Sequence, residues 1–278
     1  MANFEIVIDN VAVFSGERAD VRPEVVLPIS FTIDGKTLKT VDEDALRSAH
    51  QNGRSVRTQI TPKDSTLALE KLLESGKDVL LMSVSSGISE SFATASYIAH
   101  GLSIKYPDRK ITVVDTLSCG AGEGLLFALA TKWRENGLNM AEVEARLHEA
   151  KLKLHHVFVT DDSNLLSSSG IIPKNEVVNV KPIFDISSGG RVSVLQKTMG
   201  KKKALTGIVK YVANTLDKDF CKDVVITYGN EEEAKVICDN LKGKLEGANV
   251  VMVKENLFVA TYLGESSVSV CFFGEDRK

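Results

Sequence analysis

The fold signal is clearest at Val79-Leu80-Leu81-Met82-Ser83-Val84-Ser85-Ser86-Gly87-Ile88-Ser89-Glu90-Ser91. The first six residues are apolar almost throughout, which is typical of a strand that helices cover on both faces, and residues 92–105 have a helical pattern. Similar apolar runs occur at residues 4–8 and 111–114, and Pro62 and Gly76 suit the start and end of a helix at residues 62–74. This alternation predicts an α/β fold whose N-terminal domain has three layers, α/β/α, around a mostly parallel sheet.

The pattern changes after His155-His156. A strand is predicted at residues 157–160, and a hairpin around Ser188-Gly189-Gly190 is predicted from residues 183–186 and 191–196. A helix at residues 202–216 then precedes a β-α-β-β pattern at residues 223–228, 231–245, 249–253 and 268–273. We therefore expect two domains, an N-terminal α/β domain at residues 1–155 and a smaller C-terminal α/β domain at residues 156–278.

Composition and charge exclude several classes of protein. Of the 278 residues, 43% are apolar and 26% are charged, which is typical of a soluble globular protein. No apolar run reaches the ~18 residues of a membrane-spanning helix, and a net charge of −3 gives no overall attraction for nucleic acid or anionic lipid. The start, Met1-Ala2-Asn3-Phe4-Glu5, lacks a signal-peptide pattern, so we expect a cytoplasmic protein.

The cysteines and histidines do not predict a metal site. No Cys-x-x-Cys pair occurs, and none of the five histidines stands at zinc-finger spacing from a cysteine. We expect no metal and free thiols at the four cysteines, Cys119, Cys221, Cys238 and Cys271.

A serine-rich loop between a strand and a helix is the strongest candidate for a binding site. The backbone N–H groups at a helix start lack partners within the helix and favour an anion, and Gly87 lets the loop turn tightly. This chemistry suits a carboxylate or a phosphate, and a plain serine-rich helix cap is the alternative. Arg57-Thr58-Gln59, just before the helix at Pro62, can complete an anion site or can be ordinary surface and turn residues.

Two further segments have a functional and an ordinary interpretation. The glycines at residues 118–124 depart from the order Gly-x-Gly-x-x-Gly, so close helix–sheet packing is favoured over nucleotide binding. In the same turn, Cys119 lacks an evident histidine partner for nucleophilic catalysis. Five lysines are either a solvated face or a docking surface for an acidic partner: Lys197, Lys201, Lys202, Lys203 and Lys210.

Several segments, in this order, resemble the DegV family of bacterial fatty-acid-binding proteins. Ser85-Ser86-Gly87-Ile88-Ser89 resembles its Ser-Ser-Gly-Leu-Ser motif, and Asn179-Val180-Lys181-Pro182-Ile183 resembles Asn-Ile-Lys-Pro-Ile. Residues 200–204 resemble a Gly-Arg-Lys-Lys-Ala block. The sequence departs from the family pattern where a threonine is Arg57, a histidine is Tyr262 and arginines are Met199 and Lys201.

The resemblance implies a two-domain, DegV-like protein with a lipid tunnel and no catalytic group or cofactor of its own. It implies that a long-chain fatty acid binds with its carboxylate at a helix N-terminus and that the chain presents this acid to a separate fatty acid kinase. The carried-over carboxylate site comprises Thr58, Ser89, Arg57, Ser86 and Gly87, with Tyr262 and Thr261 as further pocket residues and Lys201, Lys202 and Lys203 as the docking surface. Two alternatives stay open: an enzyme that uses the turn at residues 118–124 for a phosphorylated ligand, and a DegV-like chain that has lost lipid binding.

Overall fold

The computed structural model describes residues 3–54, 56–173 and 180–277. The N-terminal part contains, in chain order, β1 (Phe4–Asp9), β2 (Val26–Leu27), β3 (Ile29–Ile33), β4 (Lys36–Leu38), α1 (Glu43–Gln51), β5 (Val56–Ile60), α2 (Pro62–Glu74), β6 (Asp78–Ser83), α3 (Ser91–Lys105), β7 (Ile111–Asp115), α4 (Ala121–Glu135) and α5 (Met140–Lys153). The C-terminal part contains β8 (Leu154–Val159), α6 (Ser163–Ser168), β9 (Lys181–Ile186), β10 (Val192–Thr198), α7 (Lys201–Thr215), β11 (Asp223–Tyr228), α8 (Glu231–Lys244), β12 (Asn249–Lys254), α9 (Leu257–Leu263) and β13 (Val268–Phe273).

The first sheet is parallel, with strand order β2-β1-β6-β7. Successive residues of a strand point to opposite faces. Val7 and Leu81 accordingly pack in one apolar cluster with side chains of α2 and α3, whereas Ile6 and Leu80 pack in another with side chains of α4 and α5. The predicted three-layer α/β/α arrangement around a parallel sheet is confirmed.

A small antiparallel sheet, in the order β4-β3-β5, lies beside this core. The periodicity of the sequence does not predict this sheet. Arg57, Thr58 and Gln59 therefore belong to a strand, β5, rather than to the turn before α2. Because neighbouring strand residues point to opposite faces, only alternate residues of this segment can face the same ligand.

The third sheet is mixed, with the order β10-β9-β8-β13-β11-β12 among the described residues. Its one parallel pair there is β11 with β12, and β9 with β10 forms the predicted antiparallel hairpin. Side chains of α7 and α8 cover the face of this sheet that carries Val157, Val224 and Phe272. The second domain is therefore α/β, as expected, with a mixed rather than a parallel sheet.

The predicted elements correspond closely to the observed ones. The helix predicted at residues 62–74 is α2, and the strands predicted at residues 223–228 and 268–273 are β11 and β13. The helices α1, α6 and α9 are additional. Within the described ranges, the strands of the first two sheets lie before residue 154 and the strands of the mixed sheet lie after residue 153. The domain boundary at residue 155 remains a prediction. Asn179, from one of the matched motifs, lies outside the described residues.

In the described ranges, every helix is too short or too polar to cross a lipid bilayer.

Candidate functional site

A narrow cavity lies between side chains from both halves of the chain. Its volume is about 40 Å³, which is roughly the space of one or two water molecules. Most of its lining is apolar: Val11, Val84, Ile88, Phe158, Leu166, Ile171, Ile186, Val192, Phe258, Val259 and Leu263. The polar side chains that line it are Thr58, Ser89, Cys119, His156 and Tyr262. The cavity suits the apolar part of a ligand, and a long ligand requires the lining side chains to move apart.

Thr58 and Tyr262 form a hydrogen-bonded pair at this cavity. Thr58 is buried on β5, and its N–H donates to the Tyr262 hydroxyl at 2.8 Å. The Thr58 Oγ1 lies 3.1 Å from the same hydroxyl oxygen, so the two side chains share a second hydrogen bond. The structure thus brings two sequence-predicted residues, 204 positions apart, into direct contact.

The backbone N–H groups of the loop before α3 donate hydrogen bonds within the protein. The N–H of Ser86 donates to Asp115 Oδ1 at 3.2 Å, and the N–H of Gly87 donates to Ser85 Oγ at 3.2 Å. The N–H groups of Ile88 and Ser89 both donate to the Ser85 carbonyl oxygen. The helix begins at Ser91, so these loop amides, expected to be free for an anion, are instead satisfied within the protein. The side-chain hydroxyls become the available donors.

The hairpin between β9 and β10 packs directly on this loop. Ser85 Oγ donates to the Gly190 carbonyl oxygen at 2.7 Å, and a Cβ at Gly87 would collide with the same carbonyl group. Gly87 is therefore required for the close approach of two backbone segments. Ser86, in contrast, is exposed and does not line the cavity.

Ser89 is connected to β5 through Ser91. The Oγ atoms of Ser89 and Ser91 lie 2.9 Å apart, and the N–H of Ile60 donates to Ser91 Oγ at 3.3 Å. Ile60 follows Thr58 by two residues, and both are buried on β5. The hydroxyls of Thr58 and Ser89 are thus brought to one cavity by two segments that share hydrogen bonds.

Comparison with protein-family models decides the family. Residues 3–275 match the model described as "Uncharacterised protein, DegV family". The chain belongs to the DegV family. The resemblance drawn from the motifs is confirmed.

Relatives and solved structures agree with this assignment. The DegV domain-containing protein YteA of Lactococcus lactis is 27% identical over 286 residues, which cover 99% of this chain and 98% of the relative. The fatty acid binding DegV family protein SAG1342 of Streptococcus agalactiae has a TM-score of 0.83 at 21% identity and covers 99% and 100% of the two chains. The Fatty Acid Kinase (Fak) B3 protein of Streptococcus pneumoniae, loaded with linoleic acid, has a TM-score of 0.82 at 18% identity, with 99% and 100% covered. The DegV fold is therefore shared over the whole chain.

Four predicted site residues of this DegV chain do not line the cavity: Ser86 and Gly87 in the serine loop, Arg57 and Thr261. Arg57 is exposed on the face of β5 opposite Thr58. Thr261 is buried, but its hydroxyl donates to the Leu257 carbonyl oxygen one turn earlier in α9 at 3.0 Å. Their predicted contact with a ligand remains a prediction, and the geometry favours their neighbours Thr58 and Tyr262.

The three lysines at the start of α7 differ in their surroundings. Lys201 Nζ lies 2.6 Å from Asp161 Oδ2 and 2.7 Å from Glu233 Oε2, which fixes this lysine among acidic side chains. Lys202 and Lys203 are exposed. Of the three lysines at the start of α7, Lys202 and Lys203 present their charge to solvent.

Cys119 has a histidine neighbour that the sequence did not reveal. Its Sγ lies 3.8 Å from His156 Nδ1 in the cavity wall. Burial raises the pKa of the Cys119 thiol well above its usual value and lowers the pKa of His156 to about 3. At neutral pH the pair is a neutral thiol beside a neutral imidazole, and both shifts disfavour the thiolate–imidazolium pair of an activated cysteine.

The glycines after Cys119 allow close packing. A Cβ at Gly124 would collide with the Val13 carbonyl oxygen, and one at Gly122 would collide with Ser118 Oγ. The packing interpretation of this turn, preferred from the sequence, fits these contacts.

Three buried carboxyl groups lie near the same part of the DegV core. Asp9 accepts the N–H of Val84 at 2.9 Å and so holds the start of the serine loop, while burial raises the pKa of Asp9 to about 6. Burial likewise raises the pKa of Glu255 to about 7. Neither side-chain oxygen of Glu123 has a hydrogen-bond partner among the described residues. Burial, with the nearby charge of Asp9, raises the pKa of Glu123 well above its usual value and so favours its protonated form.

Proposed function

We propose that this chain binds a long-chain fatty acid and presents it to a separate fatty acid kinase. The carboxylate is held by the hydroxyls of Thr58, Ser89 and Tyr262, and the acyl chain occupies the apolar cavity. The observation that carries the proposal is the convergence of these hydroxyls, from three separate segments, on one apolar cavity. The solved DegV structures described as fatty acid binding, including the one loaded with linoleic acid, support the same ligand class.

The energetics favour an acid with a long tail. Burial of ~15 CH₂ groups at ~0.8 kcal/mol each gives a gross gain of ~12 kcal/mol. Part of this gain is offset because the cavity has to widen from about 40 Å³. Desolvation of the carboxylate costs several kcal/mol unless hydrogen bonds replace its water, and hydroxyl donors provide such bonds. The tail therefore supplies affinity, and the hydroxyls fix the position of the head group.

Two parts of the predicted site have supporting roles in this proposal. Gly87 allows the tip of the β9–β10 hairpin to pack on the serine loop. Ser86 is the exposed residue next to Ser85, which bonds to that hairpin. Arg57, on the outer face of β5, is available to a bound partner rather than to the carboxylate.

Ligand binding is tested by extracting the purified protein with organic solvent and identifying the lipids by mass spectrometry. The delipidated protein is then heated with oleic acid or with ATP. We expect oleic acid to raise the melting temperature, because a ligand that binds only the folded state at 100 Kd stabilises it by about 2.7 kcal/mol. Stabilisation by ATP and not by oleic acid would favour the alternative enzyme, and an effect of neither would favour a chain that has lost lipid binding.

Presentation is tested by adding a bacterial fatty acid kinase catalytic subunit and ATP to the oleate-loaded protein and measuring acyl phosphate. The double variant Lys202→Glu/Lys203→Glu is expected to keep oleate binding and to lose acyl phosphate formation, because an acidic partner surface would be repelled. The matched control is Lys242→Glu/Lys244→Glu, which changes two exposed lysines of α8. Equal acyl phosphate from both double variants would reject the docking surface.

A further inference from the structure

Ser91 is a buried hydroxyl group that lies behind the candidate carboxylate site. It is the first residue of α3 and is fully buried, but it is not part of the cavity lining. Its Oγ accepts the N–H of Ile60 at 3.3 Å and lies 2.9 Å from Ser89 Oγ. Ser91 therefore acts on a ligand only through Ser89.

The direction of the hydrogen bond between Ser89 and Ser91 follows from a count of hydrogens. A serine hydroxyl has one hydrogen and two lone pairs. The buried hydrogen of Ser91 requires an acceptor, and within the described ranges the acceptor in reach of Ser91 Oγ is Ser89 Oγ. An unpaired buried donor is unfavourable, so Ser91 donates to Ser89.

The same count fixes what Ser89 can offer a ligand. Its Oγ also accepts the N–H of Ser91 at 3.2 Å. Both lone pairs of Ser89 Oγ then accept hydrogen bonds from Ser91, and the hydroxyl hydrogen of Ser89 is left to donate to a group in the cavity. Ser89 is therefore a donor without acceptor capacity.

The Thr58–Tyr262 pair also keeps a hydrogen to donate, but Thr58 Oγ1 retains at least one free lone pair whichever hydroxyl donates, so this pair, unlike Ser89, is not donor-only. The Tyr262 oxygen accepts the N–H of Thr58, and one of the two hydroxyl hydrogens is used in the bond between the side chains. One hydroxyl hydrogen of this pair remains. The site then offers two hydrogens, one from Ser89 and one from the pair, which matches the two acceptor oxygens of a carboxylate.

We propose that Ser91 is a positioning residue that makes Ser89 a donor-only group, so that the contact with Ser89 favours a fatty acid over the fatty alcohol of the same chain. The inference rests on the proposed function, since it assigns the head-group selectivity of that same site. An alcohol accepts one hydrogen but brings a hydrogen of its own, for which Ser89 has no free lone pair. A carboxylate has no hydrogen to place.

The test compares oleic acid with oleyl alcohol by displacement of a fluorescent fatty acid. Ser91→Ala frees a lone pair of Ser89 and removes the bond that orients it, so we expect the Kd for oleic acid to rise about tenfold. The Kd for oleyl alcohol should change less than about twofold, because its tail contacts are unchanged. Ser91→Thr retains the hydroxyl and should restore the selectivity for the acid to within about threefold.

Two further variants separate positioning from folding. Ser91→Cys has a similar shape and a slightly larger side chain, and its S–H donates weakly. If Ser91→Ala does not fold, we expect an intermediate loss of selectivity from Ser91→Cys. Ser103→Ala, a serine on the exposed face of the same helix, should change neither Kd. Parallel weakening of both lipids in the Ser91 variants, or unchanged selectivity, would overturn the role of Ser91 alone. An unaltered chain that binds neither lipid would overturn the proposed function as well.

Discussion

The hydroxyl of Tyr262 accepts the backbone N–H of Thr58 at 2.8 Å and lies 3.1 Å from its Oγ1. This contact joins α9 of the C-terminal half to β5 of the N-terminal half at the wall of the cavity. The motif resemblance implies a histidine in the DegV pattern at this position, where this chain has the phenol of Tyr262.

Removal of that phenol hydroxyl should weaken both the fold and the site. In Tyr262→Phe the N–H of Thr58 loses its acceptor, and we expect the free energy of unfolding to fall by about 1–3 kcal/mol and the Kd for oleic acid to rise about fivefold or more. Urea unfolding and fluorescent displacement measure the two effects. Tyr97→Phe is the matched control because Tyr97 is 82% exposed. Equal behaviour of the two variants would contradict the assignment.

The two cavity hydroxyls should contribute separately to recognition of the acid. Thr58→Ala and Ser89→Ala each remove one donor to the carboxylate, and each is expected to raise the Kd for oleic acid about tenfold, as for the loss of a hydrogen bond to a charged group. Thr66→Ala is a matched control, since its hydroxyl bonds to the Pro62 carbonyl oxygen within α2. Unchanged Kd values in both cavity variants would reject the hydroxyl site.

Arg57 gives a different expectation from the structure than from the sequence. The sequence suggests that its charge assists the carboxylate, whereas the structure exposes it on the outer face of β5. We expect the ratio of affinities for oleic acid and oleyl alcohol to change less than about twofold in Arg57→Ala, because exposed charges at a distance are screened. A marked loss of preference for the acid would restore the direct role.

Local signals allowed much of the fold to be predicted. Pro62 and Gly76 mark the ends of α2, and uninterrupted apolar residues mark β6, so these elements appear where the sequence places them. The pairing of Thr58 with Tyr262 depends on contacts between distant segments, and no local pattern encodes it. The same holds for the contact of His156 with Cys119, because it depends on the packing of β8 against the turn before α4 in the cavity wall.

The glycine-rich turn offers a test of packing against ligand binding. Gly124→Ala places a methyl group against the Val13 carbonyl oxygen, and we expect the free energy of unfolding to fall by about 1–3 kcal/mol. Gly101→Ala is the matched control, because nothing lies within 4 Å of a Cβ at this helical glycine and alanine should stabilise α3 by about 0.5–1 kcal/mol. A Gly124→Ala variant as stable as the unaltered chain would show that the close contact is not required.

The buried carboxyl group of Glu123 should make the protein less stable as the pH rises. Burial and the charge of Asp9 raise the pKa of Glu123 well above its usual value, so the folded state keeps a proton that the unfolded state has released. Stability then falls with pH by up to about 1.4 kcal/mol per pH unit for each extra proton bound in the folded state. Asp9 and Glu255, whose pKa values are raised to about 6 and about 7, add to this decline, whereas His156, whose pKa is lowered to about 3, opposes it below the ordinary histidine pKa of 6.5. The contribution of Glu123 is therefore isolated by comparing the unaltered chain with Glu123→Gln by urea unfolding above the ordinary carboxyl pKa of 4.5. The variant should show the flatter decline because glutamine cannot ionise. Identical slopes in the two proteins would mean that Glu123 is already ionised in the fold.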